Sequence, residues 1–170
     1  MTALNSMDPM HWLILGILLG LCAGSFLNVV AYRLPIMMQR EWDSDLAEAQ
    51  GREPEQLPRF NLWLPASHCP ACKTPLKIWH NIPVLSFLLL RGKCGHCHSA
   101  VSWRYPIVEL LCSALFAAVA YTQPPGLSGL ALMAFAACLL VLAVIDLDSY
   151  LLPDCLTLPL MWAGLLFSLL

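Results

Sequence analysis

Long apolar runs alternate with one polar insert along the chain. Residues 11–32, 105–121 and 127–145 are almost entirely apolar, and a fourth apolar run begins near residue 155 and continues to residue 170. A helix needs about 20 apolar residues to cross a bilayer, so we expect three spanning helices and a fourth that is short of a full crossing. Hydrophobic residues make up 59% of the chain and charged residues 12%, which excludes an ordinary soluble domain. The pattern predicts an all-α polytopic membrane protein with about four transmembrane helices, the last incomplete.

The basic residues indicate how the chain is oriented. All nine Lys and Arg lie between Arg33 and Arg104, and by the positive-inside rule this insert faces the cytoplasm. The first apolar run is too long for the core of a cleaved signal and no basic residue precedes it, so we expect a spanning helix with its N-terminus outside. The predicted parts are an outward N-terminus with the first helix (1–32), a cytoplasmic loop (33–104) and the remaining helices (105–170).

Four cysteines in the insert form two closely spaced pairs. Cys69 and Cys72 are followed, after 21 residues, by Cys94 and Cys97. Two such pairs suit four thiolates around one tetrahedral, structural zinc ion. Two disulfides are the alternative, and they require an oxidising compartment, which the cytoplasmic orientation disfavours. A nearby histidine could replace one thiolate, and the candidates are His68, His80, His96 and His98.

The rest of the insert is expected to contain short elements. Pro35 predicts the end of the first helix or a kink in it. Residues 41–48 could continue as a short amphipathic helix, and residues 51–58 have the composition of a polar linker. Residues 78–90 are expected to form short strands or an interfacial element that covers the metal site. Four basic residues would give this loop a face that suits an anionic membrane surface, although such a run is more often a solvated face: Lys73, Lys77, Arg91 and Lys93.

Small and polar residues in the first span predict close helix packing. Gly16, Gly20 and Gly24 recur every fourth residue and present a flat stripe to a second helix. Ser25 and Asn28 follow, and we expect interhelical hydrogen bonds from both because polar groups in an apolar setting need partners. The remaining cysteines lie in apolar runs and are expected to act as small hydrophobic residues: Cys22, Cys112, Cys138 and Cys155.

Acidic residues near the ends of the later spans are candidates for chemistry. Glu109 lies one turn inside the second span, and both snorkelling to the interface and a functional role are open for it. Asp146, Asp148 and Asp154 follow the third span. They could simply mark a cytoplasmic turn before Pro153, or Asp146 could belong to an aspartic protease cut into the membrane. That chemistry needs two carboxyl groups, one to activate water and one to donate a proton.

Taken together, these motifs resemble the bacterial type IV prepilin peptidases, a family of Gly-x-Gly-Asp aspartic proteases. The resemblance covers the chain from about residue 15 to its end, in the family's order. Its segments are Gly24-Ser25-Phe26-Leu27-Asn28-Val29-Val30 with Arg33-Leu34-Pro35, the two cysteine pairs, Arg104-Tyr105-Pro106-Ile107-Val108-Glu109, and the stretch from Asp146 to Asp154.

The resemblance implies a bifunctional enzyme of the bacterial inner membrane. Such an enzyme cuts the basic leader from prepilins and pseudopilins on the cytoplasmic side and then methylates the new N-terminal residue with S-adenosylmethionine. It assigns the first catalytic aspartate to Asp146, whereas Asp148 and Asp154 belong to the motif without activating the water. It also places Gly92 in a loop associated with methyl transfer, although no glycine-rich nucleotide fingerprint is present.

One departure from the family pattern is the missing second aspartate. No Gly-x-Gly-Asp motif occurs in the 170 residues, which look like the first two-thirds of such an enzyme, so we expect no protease activity from them alone. The alternative function is a non-catalytic membrane protein whose zinc loop docks a pilus or secretion-system partner. Nucleic-acid binding is disfavoured, because residues 41–55 are acidic.

Overall fold

The computed structural model describes residues 7–69, 71–75 and 82–169. Within these ranges the chain forms helices and no strand. The helices are α1 (Pro9–Ala49), α2 (Leu85–Leu89), α3 (Arg104–Thr122), α4 (Leu127–Ser149) and α5 (Asp154–Ser168). Three of them, α1, α3 and α4, are long and apolar enough to cross a membrane, and α5 is shorter. The prediction of an all-α polytopic membrane protein is therefore confirmed.

Helix α1 extends well beyond the thickness of a bilayer. Asp8 caps its start by accepting a hydrogen bond from the Met10 backbone N–H at 2.8 Å, and Pro9 fits the first turn, which has no partner for an N–H. Its 41 residues correspond to about 60 Å, roughly twice the hydrocarbon thickness. The second half of α1 therefore projects from the end of the bundle that carries the polar insert, here called the insert end.

Pro35 was expected to end the first helix or to kink it, and it does not end it, because α1 continues to Ala49. A proline inside a helix removes one backbone hydrogen bond and costs about 3 kcal/mol. Around Pro35, Leu34, Met37 and Met38 are half-buried and line a groove shared with the α4–α5 turn. The short amphipathic helix expected over residues 41–48 is thus the last part of α1.

Helices α1 and α3 form the most extensive contact in the bundle, and the glycine stripe lies within it. A Cβ atom at Gly20 would lie 2.6 Å from the Cα of Ser113, and one at Gly24 would lie 2.6 Å from the Cα of Glu109. Both distances are shorter than a carbon–carbon contact allows, so the two backbones meet at a separation that only glycine permits. The predicted packing role of the stripe is confirmed.

The third spanning helix closes the bundle on the other side. Met133 and Ile145 of α4 are fully buried with Trp12 of α1 and Cys112 of α3. The Trp12 indole N–H donates to the backbone carbonyl of Gln123 at 3.1 Å and joins α1 to the end of α3 that lies opposite the insert. Among the described helices α5 makes its main contact with α4, and no described residue of α5 is buried.

The insert forms little regular structure. Residues 52–60 have none, as the prediction of a polar linker requires. Short strands or an interfacial element were expected within residues 78–90. The described part, residues 82–90, contains no strand and includes the single helical turn α2, while residues 78–81 lie outside the described residues. A strand needs a neighbouring edge. Here the backbone groups bond locally instead, from Leu88 N–H to Val84 C=O at 3.0 Å and from Leu90 N–H to Ser86 C=O at 3.0 Å.

Candidate functional site

The two cysteine pairs lie on two turns of similar construction, here called the knuckles. In the first, the Lys73 N–H donates to the Cys69 carbonyl at 2.9 Å, and in the second the His98 N–H donates to the Cys94 carbonyl at 3.0 Å. Lys73 and His98 both have φ 58°, which reverses the chain after the second cysteine of each pair. Each turn directs both of its sulfurs to the same side, as the Cys-x-x-Cys spacing predicts.

The four thiols of the knuckles converge on one point. The sulfurs of Cys69, Cys72, Cys94 and Cys97 all lie within 4.8 Å of one another, and those of Cys69 and Cys97 are 3.8 Å apart. Zn–S bonds of about 2.3 Å in a tetrahedron place neighbouring sulfurs about 3.8 Å apart, so the cluster fits a zinc ion. All eight cysteines of the chain are described and free, so the alternative of two disulfides is not what the structure contains.

The histidines near the knuckles do not belong to this cluster. His68, His96 and His98 are exposed, and the convergent group consists of cysteines only. His80 lies outside the described residues. Among the described side chains, four thiolates are therefore the available ligand set for a metal ion.

The knuckles also favour negative charge on their sulfurs. The Cys72 backbone N–H and then the Ser99 hydroxyl lower the pKa of Cys69 to about 6, and the Ser99 hydroxyl lowers the pKa of Cys97. Backbone N–H groups of Cys97 and His96 favour the Cys94 thiolate, but burial and the adjacent thiols leave its pKa raised. Four neighbouring sulfurs resist full ionisation unless a cation balances them, and a bound metal ion supplies that balance.

A cavity of about 460 Å³ lies between the knuckles and the insert ends of α1 and α3. Its knuckle side includes Cys69, Cys94 and Gly92, and its membrane side includes Asn28 and Glu109. Cavities of roughly 300–1,000 Å³ are typical of small-molecule sites. The cavity joins residues that are far apart in sequence, and its volume suits a small ligand.

Gly92 is held at this cavity by its backbone conformation. Its φ of 67° lies in the left-handed region, and a Cβ atom there would lie 3.0 Å from the Cζ of Phe87. Either requirement favours glycine. The residue that the family resemblance associates with methyl transfer therefore lies at a cavity wall where a larger residue would disturb the α2 helix.

Asn28 joins α1 to the start of α3. Its side-chain Nδ2 donates to the carbonyls of Gly24 at 3.2 Å and Tyr105 at 3.1 Å, which confirms the expected interhelical hydrogen bond. Its Oδ1 is buried and has no hydrogen-bond partner among the described residues. An unpaired buried acceptor costs about 1–3 kcal/mol, so Asn28, a residue that lines the cavity, leaves one polar atom unpaired at a cost to stability.

Glu109 is buried next to the same cavity, with 7% of its surface exposed. Its Oε2 accepts a hydrogen bond from the Val84 backbone N–H at 2.7 Å, and the Ser25 side chain is a second hydrogen-bonding partner. Ser25 therefore forms the interhelical hydrogen bond expected of it. The snorkelling interpretation of Glu109 is wrong, because the residue is buried in the protein. Its carboxylate accepts a hydrogen bond from the segment that leads into α2.

The aspartates after the third span lie at the same end of the molecule. Asp146 is in the last turn of α4, where the N–H of Tyr150 donates to its backbone carbonyl at 2.9 Å. Asp148 forms an ion pair with Arg104, the first residue of α3. Asp154 begins α5, and all three carboxylates are exposed. The ion pair fixes the aspartate motif beside the helix end that borders the cavity.

The family of the chain follows from comparison with known proteins. A family model described as the Bacterial Peptidase A24 N-terminal domain matches residues 18–123, and a model described as the Type IV leader peptidase family matches residues 133–170. The chain belongs to this peptidase family. The resemblance drawn from its motifs is therefore confirmed.

Relatives of this peptidase A24 chain carry the name prepilin leader peptidase/N-methyltransferase. One from Burkholderia pseudomallei is 50% identical over 90% of this chain and 50% of its own length. One from Aeromonas salmonicida is 48% identical over 95% of this chain and 57% of its own, and one from Pseudomonas putida is 44% identical over 96% and 57%. The chain thus spans about half the length of the curated relatives it matches. No solved structure matches it.

Arg33 is a structural residue of this peptidase chain that sequence reasoning missed. It is 6% exposed, and its guanidinium donates to the carbonyls of Asn61 at 2.8 Å and Pro65 at 2.6 Å. Phe60 lies between it and Arg40, with ring-centroid distances of 5.6 Å and 4.6 Å. The spacing of residues could have indicated that Arg33 is buried. Gly24, Leu27 and Val30 of α1 are buried at every third position, and Arg33 is the next position in that series. Through these hydrogen bonds, Arg33 holds the segment that leads into the first knuckle against α1.

Proposed function

We propose that the protein works at the cytoplasmic face of the bacterial inner membrane, where it removes the leader peptide of type IV prepilins and pseudopilins and methylates the new N-terminus. The observation that carries this proposal is the assembly of the Asp146 motif, the cysteine cluster and the cavity at one end of a bundle that belongs to the type IV leader peptidase family. In the proposed topology, residues 1–32 start outside and form the first span, residues 33–104 are cytoplasmic, and residues 105–170 contain the later spans.

The proposed protease chemistry uses Asp146 as one of two aspartates. One carboxylate takes a proton from the attacking water while the other donates a proton to the scissile carbonyl. The position of Asp146 supports this role, since it lies at the end of a spanning helix and beside the insert. No Gly-x-Gly-Asp segment occurs in residues 1–170, so we expect these residues alone not to cleave a prepilin.

The proposed methyl transfer takes place in the cavity between the knuckles and the helix ends. S-adenosylmethionine would supply the methyl group, and the residues available to hold it include Gly92, Lys93 and His68 on the cavity wall. The size of the cavity, about 460 Å³, supports a ligand of this class. The protein's own part is to keep the reacting amine and the donor together and away from bulk water.

The cysteine cluster is proposed to hold one structural zinc ion. Four thiolates complete a tetrahedral shell and leave no open position for a substrate, so the metal would shape the cavity wall and take no part in the reaction. Cys69 and Cys94 line both the cluster and the cavity, which links metal binding to the shape of the proposed methyl-transfer site.

A hybrid protein tests the protease proposal. Residues 1–170 are joined to the remaining part of the 50% identical Burkholderia pseudomallei relative and expressed with a prepilin in a bacterial host that lacks a leader peptidase. We expect leader cleavage by the hybrid, loss of cleavage in Asp146→Asn, and normal cleavage in Asp45→Asn, which changes an exposed aspartate of α1. Full cleavage by Asp146→Asn would contradict the assignment, and cleavage by residues 1–170 alone would contradict the need for a second aspartate.

Two glycine variants test the methyl-transfer proposal. Gly51 and Gly92 both have φ 67°, but a Cβ atom at Gly51 would meet nothing within 4 Å. Gly51→Ala therefore matches the backbone strain of Gly92→Ala without the contact with Phe87. With labelled S-adenosylmethionine and a peptide that already has a free N-terminus, we expect methyl transfer to fall strongly only in Gly92→Ala. Equal activity in both variants would refute the placement of Gly92.

A further inference from the structure

The membrane side of the cavity includes a buried amide and a buried carboxyl group. Asn28 Oδ1 and the Glu109 carboxylate belong to neighbouring helices, and both residues line the cavity. Asn28 is 5% exposed and Glu109 is 7% exposed. A spanning helix seldom places a carboxylate and an amide at such buried positions unless they meet a partner or serve a function.

The orientation of the Asn28 amide is fixed by its neighbours. Its Nδ2 faces two backbone carbonyls, those of Gly24 and Tyr105, and the reversed orientation would place an oxygen against both. Oδ1 is therefore the atom left over, and no described residue donates to it. The unfilled position calls for a donor from a ligand.

The Glu109 carboxylate accepts hydrogen bonds from protein donors and forms no ion pair with a described residue. Its Oε2 accepts from the Val84 N–H, and Ser25 is a further partner. Within residues 7–69, 71–75 and 82–169, the ion pairs involve His11 with Asp8 and Arg104 with Asp148, and none includes Glu109. A buried carboxylate is best stabilised by a positive group that also donates hydrogen bonds.

We propose that Glu109 and Asn28 Oδ1 form a subsite for a primary ammonium group. An ammonium group offers three donors and a positive charge, which suits a carboxylate and an unfilled amide oxygen on two residues that line one cavity. The inference rests on the proposed methyl transfer and deepens it. Two ligands of that reaction carry such a group, namely the new N-terminus of the processed pilin and the amino-acid part of the methyl donor. Lys93 and His68 lie on the opposite wall of the same cavity and suit a carboxylate or other anionic group.

Binding measurements on the protein in lipid nanodiscs test this subsite. The first probe pair is an apolar peptide with a free N-terminus and its N-acetylated twin. The second pair is S-adenosylhomocysteine and 5′-methylthioadenosine. Both are thioethers of the same nucleoside, and only the first has the amino-acid part. We expect wild-type protein to favour the amine-bearing member of at least one pair by about tenfold, as a charge-assisted hydrogen bond provides.

Substitution of Glu109 should remove that preference. Glu109→Gln keeps an oxygen acceptor for the Val84 N–H and loses the charge. The two members of the responding pair should then bind with about equal affinity. Glu109→Asp should restore part of the preference, and Asn28→Ala should reduce it by a smaller factor. Glu48→Gln is the matched control because Glu48 is exposed near the far end of α1, and its preference should equal that of the wild type. The probe pair that responds identifies which ligand supplies the ammonium group.

The outcomes separate this subsite from the proposed function. Binding by wild-type protein without any preference for the amine overturns the subsite and leaves methyl transfer intact. A preference that survives in both Glu109→Gln and Asn28→Ala also overturns it. Absence of binding to every probe by the wild-type protein refutes the proposed methyl transfer, and the subsite with it. Metal content and far-UV circular dichroism equal to wild type establish that each variant is folded.

Discussion

Alanine substitution along the glycine stripe should destabilise the bundle in a graded order. At Gly20 the added Cβ would lie 2.6 Å from the Cα of Ser113, and at Gly24 2.6 Å from the Cα of Glu109. Carbon atoms in contact are usually about 3.5–4.0 Å apart, so the helices must separate by about 1 Å. At Gly16 the nearest atom is the Ala120 Cβ at 3.1 Å, and at Gly164 nothing lies within 4 Å.

The size of the effect follows from two opposing contributions. Overpacking of this kind costs about 1–3 kcal/mol, while the change from glycine to alanine favours a helix by about 1 kcal/mol. Gly164→Ala, in α5, carries only the second contribution and serves as the matched control. Relative to that control, Gly20→Ala and Gly24→Ala should each lose about 1–3 kcal/mol of unfolding free energy, and Gly16→Ala should lose less.

Reversible unfolding in mixed micelles measures these differences. The protein is titrated with a denaturing detergent, and tryptophan fluorescence and circular dichroism follow the transition. The reasoning is refuted if Gly20→Ala and Gly24→Ala unfold at the same detergent fraction as Gly164→Ala, since the close approach of α1 and α3 would then not exist in the membrane protein.

Three further changes probe the insert and its attachment. Elemental analysis should find about one zinc per chain. The Cys69→Ser variant should lose this zinc and the Cys22→Ser variant should keep it. Wild-type protein without zinc would contradict the assignment. In Arg33→Lys, the lysine cannot reach both carbonyl partners of the guanidinium. Chymotrypsin should therefore cut within residues 59–67 about tenfold faster than in the wild type. Unchanged cleavage would show that the guanidinium does not hold this segment. Arg104→Gln should cost less than about 1 kcal/mol, because its pair with Asp148 is more than one-third exposed; a larger loss would assign the pair a greater role.

The spans and the cysteine cluster could be predicted because each depends on local pattern. Apolar length determines a crossing helix, and the spacing of Cys69, Cys72, Cys94 and Cys97 determines which sulfurs can meet. The glycine stripe was predictable for the same reason, since residues four apart share a face of a helix. Which helix packs on the stripe was not predictable, because that depends on the tertiary arrangement.

The errors arose where tertiary contacts decide the outcome. Pro35 is a helix breaker by local rules, yet α1 continues past it, where Met37 and Met38 are half-buried and line the groove at the α4–α5 turn. Glu109 could not be distinguished from a snorkelling residue, since the Val84 N–H that holds it comes from 25 positions earlier in the chain. The unpartnered oxygen of Asn28 likewise appears only once both carbonyl partners of its amide are known.

The measurement that tests the central claim most directly is the sidedness of the cysteine cluster and the Asp146 motif in the membrane. Cysteines introduced singly at Glu48, Tyr150 and Thr122 are exposed reporters for the α1 extension, the α4–α5 turn and the opposite end of α3. Spheroplasts are treated with a membrane-impermeant maleimide, and mass spectrometry identifies each labelled peptide. The account predicts labelling from outside at position 122, and labelling at positions 48 and 150 only after lysis. Labelling of position 150 in intact spheroplasts would contradict it.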